Sequence, residues 1–182
     1  GKFYAQATCH AANRNWTRKA MPITTRVINS FLYNGEADLL EIKLYELFDV
    51  MDLFVIVESK YDFRGRQKQL YFDANDTRWA PYLSKIDHFV VDFGMHHARR
   101  VAWGAEERSR QLLNEHLHQI VREGDIVIAG DLDELPRREV VRLIKTCVVP
   151  QEQKPMRLWM PHLYFHLGCL VPDEPWAIMI HW

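Results

Sequence analysis

The sequence predicts an α/β domain: a mostly parallel sheet flanked by helices, with antiparallel additions near the C-terminus. Short apolar segments at 26–33, 53–57, 88–92 and 125–130 have the composition of strands buried between two helical layers. Segments with the helical period of apolar residues separate them. After Pro150 the apolar residues alternate with a period of two, which is typical of antiparallel strands.

The helical segments are recognised by their apolar stripes and by their ends. The first stripe contains Leu40, Leu44, Leu47 and Phe48. We predict a short helix over 77–86 and a long one over 104–122, which Gly124 ends. Pro136 suits the first turn of another helix. The buried stripe of that helix is expected to contain Val140, Leu143, Ile144 and Cys147.

Length and composition indicate one globular domain. The chain has 182 residues, 48% of them hydrophobic, which excludes a disordered chain. Its 23 Lys and Arg against 24 Asp and Glu give no basic surplus, so we expect no nucleic-acid partner. No apolar run approaches the ~20 residues of a membrane span, so we expect no membrane contact by this fragment. Residues 1–21 are predicted to be a leader or linker, and 22–182 the domain, truncated at its C-terminal end.

The cysteines predict neither a disulfide framework nor a zinc site. Cys9, Cys147 and Cys169 are too few and too scattered for a framework, and none belongs to a C-x-x-C pair. Two N-x-T triplets, at 15–17 and 75–77, permit a lumenal location and do not require one.

Polar residues follow each predicted parallel strand, and the carboxyl ends of such strands are where open α/β sheets bind ligands. They are Tyr33, Asn34, Glu36, Glu58, Ser59, Asp92, Asp131, Asp133 and Glu134. Asp131 and Asp133 are two residues apart on an extended segment, so both carboxylates point the same way, roughly 6.5 Å apart. Such oxygen ligands favour Mg²⁺ or Mn²⁺ and leave room for phosphate oxygens. A solvated turn is the alternative interpretation of this D-x-D triplet.

Other candidates have two interpretations each. The basic loop residues Arg64, Arg66 and Lys68 suit a diphosphate, or are simply solvated. Glu106, Glu107 and Arg110 open the long helix beside the predicted site, or form a surface ion pair. Three polar residues fall at alternate positions and so point to one face of a strand, as residues that line a groove do: His162, Tyr164 and His166. Packing explains this alternation equally well. The tryptophans Trp103, Trp159 and Trp176 are core residues or, if exposed, platforms for stacking a sugar.

Several segments occur in the order and spacing of a known family. They are Arg26-Val27-Ile28-Asn29, Asp38-Leu39-Leu40, Glu46-Leu47, Asp49-Val50-Met51-Asp52, Phe54-Val55-Ile56-Val57-Glu58-Ser59 and Gly130-Asp131-Leu132-Asp133-Glu134-Leu135-Pro136. In these segments the chain resembles glycosyltransferase family 17 over about residues 25–167. The combination of E-S with D-x-D-E-L-P is fairly specific, whereas D-x-D alone is not.

The resemblance implies a GT-A-like, Rossmann-type fold and an inverting transfer of N-acetylglucosamine from UDP-GlcNAc to a mannose-containing, N-glycan-like acceptor. It implies Mn²⁺ or Mg²⁺ as cofactor, and a nucleotide sugar and a glycan as partners. It also implies residence in the Golgi lumen with a membrane anchor outside this chain; a cytoplasmic location is the alternative.

Carried over to this chain, the resemblance assigns the metal to Asp131 and Asp133. The donor-binding residues are expected to be Tyr33, Asn34, Glu58, Ser59, Lys68, Arg110 and Asp131. The acceptor side is expected at His162, Tyr164 and His166. The catalytic base is expected at Asp173 or Glu174, or beyond Trp182. Trp103, Glu106, Glu107 and Arg110 resemble a W-x-x-E-E-x-x-R stretch of the family.

Two other functions agree with the same residues. A nucleotide-sugar-binding or glycan-binding domain without turnover needs no base. A haloacid-dehalogenase-like phosphohydrolase also uses a strand that ends in D-x-D, but there the motif follows the first strand, and here it follows the fourth.

Overall fold

A computed structural model of the chain describes residues 9, 15–19, 25–62, 64–93, 104–163 and 170–181. For residues 160–163, 170–178 and 181 the description covers the backbone alone.

The described residues contain eight strands and three α-helices. The strands are β1 (Thr17–Arg18), β2 (Val27–Tyr33), β3 (Leu53–Ser59), β4 (Ile86–Val91), β5 (Ile126–Ala129), β6 (Cys147–Val148), β7 (Met156–Leu163) and β8 (Leu170–His181). The helices are α1 (Ala37–Leu47), α2 (Gly104–Ile120) and α3 (Arg138–Thr146).

Six of the strands form one sheet in the order β4-β3-β2-β5-β8-β7. The first four in that order run parallel, whereas β8 is antiparallel to both β5 and β7. Parallel strands need covering on both faces, which explains why β2 and β3 are almost wholly buried. The predicted α/β class, with its mostly parallel sheet and antiparallel C-terminal additions, is confirmed and is consistent with a Rossmann-like GT-A fold.

Two apolar layers cover the sheet, one on each face. The larger layer packs α1 and α3 residues such as Leu44 and Ile144 against Phe31 and Ile128. The smaller layer packs α2, through Leu113 and Leu117, against residues of β2 and β3. Successive strand residues point to opposite faces, so a strand that is apolar throughout supplies both layers.

Three local predictions need correction. The segment predicted as a helix over 77–86 is a series of turns followed by the 3-10 helix Leu83–Lys85, and Ile86 already belongs to β4. Pro136 precedes α3, which begins at Arg138, instead of lying in its first turn. Of the predicted stripe of α3, Ile144 and Cys147 are buried and Leu143 packs against the core, whereas Val141 is buried in place of Val140.

Part of the predicted leader packs onto the domain. Trp16 is buried in the larger apolar layer, and β1 pairs with β6 in an antiparallel ribbon. Cys9 forms a disulfide with Cys147. The cysteine analysis missed this bridge, because sequence spacing does not show that two residues separated by 138 positions meet in the fold. The boundary between residues 21 and 22 stays a prediction.

The disulfide predicts a redox-dependent stability. A cross-link over a long loop restricts the unfolded chain and contributes about 2–4 kcal/mol to the free energy of unfolding. We expect the thermal midpoint of the wild-type chain to fall when a reductant is added. The Cys9→Ala variant should start at the lower midpoint and not respond. Equal midpoints with and without reductant in the wild type would contradict the bridge.

Candidate functional site

A cleft of about 340 Å³ lies at the carboxyl ends of β2 and β5. It is lined by one residue of β2, by residues that follow β2 and β5, and by residues from the N-terminal halves of α1 and α2. These residues are Leu32, Asn34, Glu36, Leu39, Glu106, Arg110, Asp131, Leu132 and Asp133. The cleft therefore brings together the predicted donor-binding residues Asn34 and Arg110 with the two predicted metal ligands.

The turn between β2 and α1 is shaped by Gly35. Its φ angle of 104° lies in the left-handed region, which favours glycine. A Cβ at this position would lie 3.0 Å from the ring of Tyr71, so the turn also approaches that ring closely. The backbone N–H of Asn34 donates to Oε2 of Glu36 at 3.0 Å. These contacts hold Asn34 and Glu36 at the cleft.

Asp131 is held by a cation from α2. The guanidinium of Arg110 donates to Oδ1 of Asp131 at 2.6 Å and to Oε1 of Glu106 at 2.9 Å. Partial burial lowers the pKa of Arg110, but the hydrogen bonds and charges of these two carboxylates outweigh that effect, so the pKa lies above its ordinary value. The side chain of Asp131 is 42% exposed and remains accessible from the cleft.

Glu134 turns inward, away from the cleft. Its carboxylate is buried and accepts the backbone N–H of Asp131 at 2.7 Å, while its own backbone N–H donates to the carbonyl of Asp131. Burial raises the pKa of Glu134, and the nearby Asp131 and Asp133 add to the shift. The third acidic residue of the motif thus closes the turn instead of joining the other two in the cleft. The extended segment predicted for Asp131 and Asp133 is therefore wrong: β5 ends at Ala129, and residues 131–134 form a turn.

The turn also rests on a buried lysine that the sequence analysis missed. Nζ of Lys43, in α1, donates to the main-chain carbonyls of Asp131, Leu132 and Glu134. Burial lowers the pKa of Lys43 to about 7, against the opposing effect of the nearby carboxylates. One signal was available in the sequence: Lys43 falls on the same apolar stripe as Leu40.

Asp133 presents the cleft with a carboxylate that has no partner among the described residues. Its side chain is exposed, and no hydrogen bond or ion pair joins it to the rest of the described chain. Within the described ranges, no group of three or more His, Cys, Asp or Glu side chains is placed to hold a metal ion. Two carboxylates in an open cleft nevertheless fit a hard cation such as Mg²⁺ or Mn²⁺, which takes further oxygens from phosphates and water.

A smaller cavity of about 30 Å³ adjoins the cleft and shares Leu32, Asn34 and Glu106 with it. Three predicted donor-binding residues, Tyr33, Ser59 and Lys68, line this cavity together with Tyr61. Burial raises the pKa of Tyr33 to about 12, and Glu58 and Glu36 reinforce the shift. The phenol of Tyr33 is therefore a neutral hydrogen-bonding group at physiological pH.

Glu58 faces the interior and fixes the loop that follows β3. Its carboxylate accepts the backbone N–H groups of Tyr71 and Phe72 and contacts Lys68 and His88. Burial alone would raise the pKa of Glu58, but these hydrogen bonds and the charge of Lys68 hold it below its ordinary value. A donor contact by Glu58 stays a prediction; the contacts present are to its own chain.

The other predicted residues are not among the described residues that line the cleft. Trp103, Tyr164 and His166 fall outside the described residues. His162, Asp173 and Glu174 are described by their backbone in β7 and β8. The β7–β8 pairing shifts register near His162, because Met160 pairs with Trp176 and His162 with Val171. The role predicted for Asp173 and Glu174 stays a prediction.

Comparison with known proteins identifies the family. The model for glycosyltransferase family 17 matches residues 3–182. The chain belongs to glycosyltransferase family 17.

Curated relatives agree with this assignment. The chain is 32% identical over 131 residues to beta-1,4-mannosyl-glycoprotein 4-beta-N-acetylglucosaminyltransferase of Homo sapiens and, equally, of Rattus norvegicus. The identity to the Mus musculus protein of that name is 31%. Each match covers 68% of this chain and 24% of the relative, so the chain spans about a quarter of the length of these proteins. No solved structure matches the chain significantly.

The environment of Glu58 predicts how stability depends on pH. Because the pKa is lower in the folded than in the unfolded state, the stabilisation is complete above the ordinary value of 4.5 and disappears as the pH falls through the folded value. We expect Glu58→Gln to lose about 1–3 kcal/mol at pH 6, since charged hydrogen bonds are lost. We also expect its unfolding free energy to fall less than that of the wild type between pH 6 and 3.

The control for this prediction is Glu41→Gln, which removes an exposed carboxylate paired with Arg78. Its stability should fall with acid as steeply as that of the wild type. If Glu58→Gln and Glu41→Gln show the same acid profile, Glu58 does not supply the pH dependence.

Proposed function

We propose that the protein transfers N-acetylglucosamine from UDP-GlcNAc to a mannose-containing glycan, with inversion at the anomeric carbon and with a divalent cation. The observation that carries the proposal is the pair Asp131 and Asp133 after the end of β5, which line a cleft together with Arg110, the ion-pair partner of Asp131. Family membership supports glycosyl transfer, and the names of the relatives support this sugar and acceptor.

The division of the cleft suggests how a nucleotide sugar lies in it. The small cavity, at about 30 Å³, has room only for water, so the nucleotide is proposed to lie in the larger cleft, with Tyr61, Tyr33 and the hydroxyl of Ser59 beside it. The larger cleft offers the Arg110 guanidinium, whose planar set of donors suits a diphosphate. Asp131 and Asp133 would hold Mn²⁺ or Mg²⁺, which when bound stabilises negative charge on phosphate oxygens.

The transfer breaks the bond between the anomeric carbon and the β-phosphate oxygen of UDP and forms a bond to an acceptor hydroxyl oxygen. The negative charge that leaves with UDP is met by Arg110. A carboxylate on the acceptor side takes the hydroxyl proton. We propose Asp173 or Glu174 for that role, as the acidic residues of β8; a base outside this chain is the alternative.

A lumenal, oxidising compartment such as the Golgi is proposed as the location. The disulfide between Cys9 and Cys147 supports it, because such bonds persist mainly in oxidising compartments. None of the helices in the described segments is both long enough and apolar enough to span a bilayer.

The acceptor is proposed to bind beside Trp159. Arg157 pairs with Met179, which also pairs with Ala129, so these three residues form one row across β7, β8 and β5. Trp159 is two residues further along β7, toward the end of the sheet at which β5 stops and the turn with Asp131 begins.

Trp159 also lies on the same face of the sheet as the cleft wall. Leu158 packs into the layer formed with α1 and α3, so its neighbour Trp159 points to the face covered by α2, which carries Arg110. Trp159 is 63% exposed, so it is not the core residue that the simpler interpretation predicts. Its open aromatic face suits the C–H face of a sugar ring.

The metal site predicts a cation-dependent affinity for UDP. Calorimetric titration of UDP should show binding at least 10-fold tighter with MnCl₂ than without it in the wild type, equivalent to about 1.4 kcal/mol. We expect Asp133→Asn to abolish this increment and to eliminate turnover of UDP-GlcNAc, because the cleft loses its unpaired carboxylate.

The matched control is Asp49→Asn, at the far end of α1, where the aspartate pairs with Arg138. It should retain the manganese increment. Equal affinities with and without manganese in the wild type would remove the cation from the proposal. Binding of UDP-GlcNAc without turnover by the full-length protein would favour the binding-domain alternative.

The acceptor proposal predicts a selective kinetic defect. Trp159→Ala should raise KM for a mannose-containing acceptor oligosaccharide about 3- to 10-fold and leave KM for UDP-GlcNAc unchanged, since stacking on one aromatic ring contributes about 0.5–1.5 kcal/mol. Tyr45→Ala, which removes an equally exposed aromatic ring from α1, should leave both constants unchanged. An unchanged acceptor KM in Trp159→Ala would place the acceptor elsewhere.

A further inference from the structure

Lys43 occupies a position that a lysine rarely tolerates. Its side chain lies on the stripe of α1 formed by Leu40, Leu44 and Leu47, and its exposure is 0%. Lysines are almost never fully buried unless they are paired, because an ammonium without partners in an apolar layer is strongly destabilising. The contacts of Lys43 therefore have to compensate for its burial.

Those contacts are to the main chain of residues 131–134, which we call the acidic turn. Nζ lies 2.8 Å from the carbonyl oxygen of Asp131, 3.2 Å from that of Leu132 and 2.8 Å from that of Glu134. An ammonium has three N–H donors, and each finds one carbonyl. Nζ also lies 4.7 Å above the ring centre of Phe31, a cation–π contact on its remaining side.

The choice of main-chain acceptors has a consequence for the side chains of the turn. No hydrogen bond or ion pair joins Nζ to the carboxylate of Asp131, Asp133 or Glu134. A lysine that paired with the first two carboxylates would draw them inward and neutralise them. Because Lys43 binds carbonyl oxygens, it fixes the backbone of the turn and leaves the carboxylates of Asp131 and Asp133 at the cleft.

We propose that Lys43 is a positioning residue of the nucleotide-sugar site: its ammonium fixes the turn 131–134 in the conformation that presents Asp131 and Asp133 together to the cation and the diphosphate. This inference rests on the proposed function. Lys43 is not among the residues that line the cleft, so it acts on binding through the backbone of the turn and through its charge near Asp131 and Asp133.

The first test compares two lysines of similar construction. Lys43→Met keeps the length of the side chain and removes the ammonium. Lys85→Met is the control: Nζ of Lys85 also donates to main-chain carbonyls, those of Phe48 and Met51, and also lies over a phenylalanine ring, at 4.5 Å. Lys85 lies beside the C-terminal end of α1 and directly precedes β4. It is therefore at the amino ends of the parallel strands, whereas the cleft is at their carboxyl ends.

We expect Lys43→Met to weaken UDP binding in the presence of MnCl₂ by at least 10-fold in calorimetry, and Lys85→Met to change it by less than 2-fold. In the full-length protein, KM for UDP-GlcNAc should rise in Lys43→Met while KM for the acceptor stays unchanged. A general loss of stability would not produce that selectivity. A folded Lys43→Met with wild-type affinity for UDP and manganese overturns the proposal.

A second variant covers the case in which Lys43→Met does not fold. Lys43→Arg keeps the charge, but a planar guanidinium does not match three carbonyls arranged around a tetrahedral ammonium. It should fold and bind UDP with manganese more weakly than the wild type. If both variants are unfolded while Lys85→Met is folded, Lys43 serves the fold as a whole and the positioning role is refuted.

Hydrogen exchange separates this inference from the proposed function. Deuterium uptake of the peptide that covers 130–135 needs no ligand. It should be faster in the folded Lys43 variant than in the wild type or in Lys85→Met, while uptake in β2 and β3 is unchanged. If the wild type binds no UDP, the proposed function fails, and this measurement decides the role of Lys43. Unchanged uptake at 130–135 refutes that role.

Discussion

The acidic turn must leave a strand that is buried on both faces and still expose two charges to solvent. Its carbonyls point back toward the apolar layer beneath, where an acceptor without a donor is costly. The ammonium of Lys43 donates to three of these carbonyls. The backbone N–H of Asp131 donates to the carboxylate of Glu134. The carbonyls on the inner side of the turn are therefore hydrogen-bonded, and the side chains of Asp131 and Asp133 lie on its outer side, at the cleft.

The regular elements were predictable because their patterns reflect burial that the sequence itself records. β3 is apolar on both faces, and α2 carries a strict stripe, so both were located to within a few residues. The segment 77–86 was not predicted correctly. Pro81 lies in the middle of this segment, and it has no backbone N–H to donate and disfavours a helical conformation of the residue before it.

The location of the site was predictable, but the partners of its side chains were not. Parallel strands end at one edge of a sheet, so the strand pattern alone was enough to predict Asp131 and Asp133 there. Which group binds which depends on distances between elements far apart in sequence: Lys43 reaches the turn from α1, and Arg110 from α2. Sequence periodicity contains no such distances, so the contacts of Glu58 with its own loop could not be predicted.

The two aspartates of the motif differ in one respect that bears on ligand binding. Asp131 already has a cationic partner in Arg110, whereas Asp133 has none among the described residues. A diphosphate alone would compete with Asp131 for Arg110, and a divalent cation alone would compete with Arg110 for Asp131. If both ligands bind as proposed, the cation would take the carboxylate of Asp131 and the diphosphate would take the guanidinium of Arg110. No charge is left unpaired by that exchange, so the arrangement favours the joint binding of both ligands over either one.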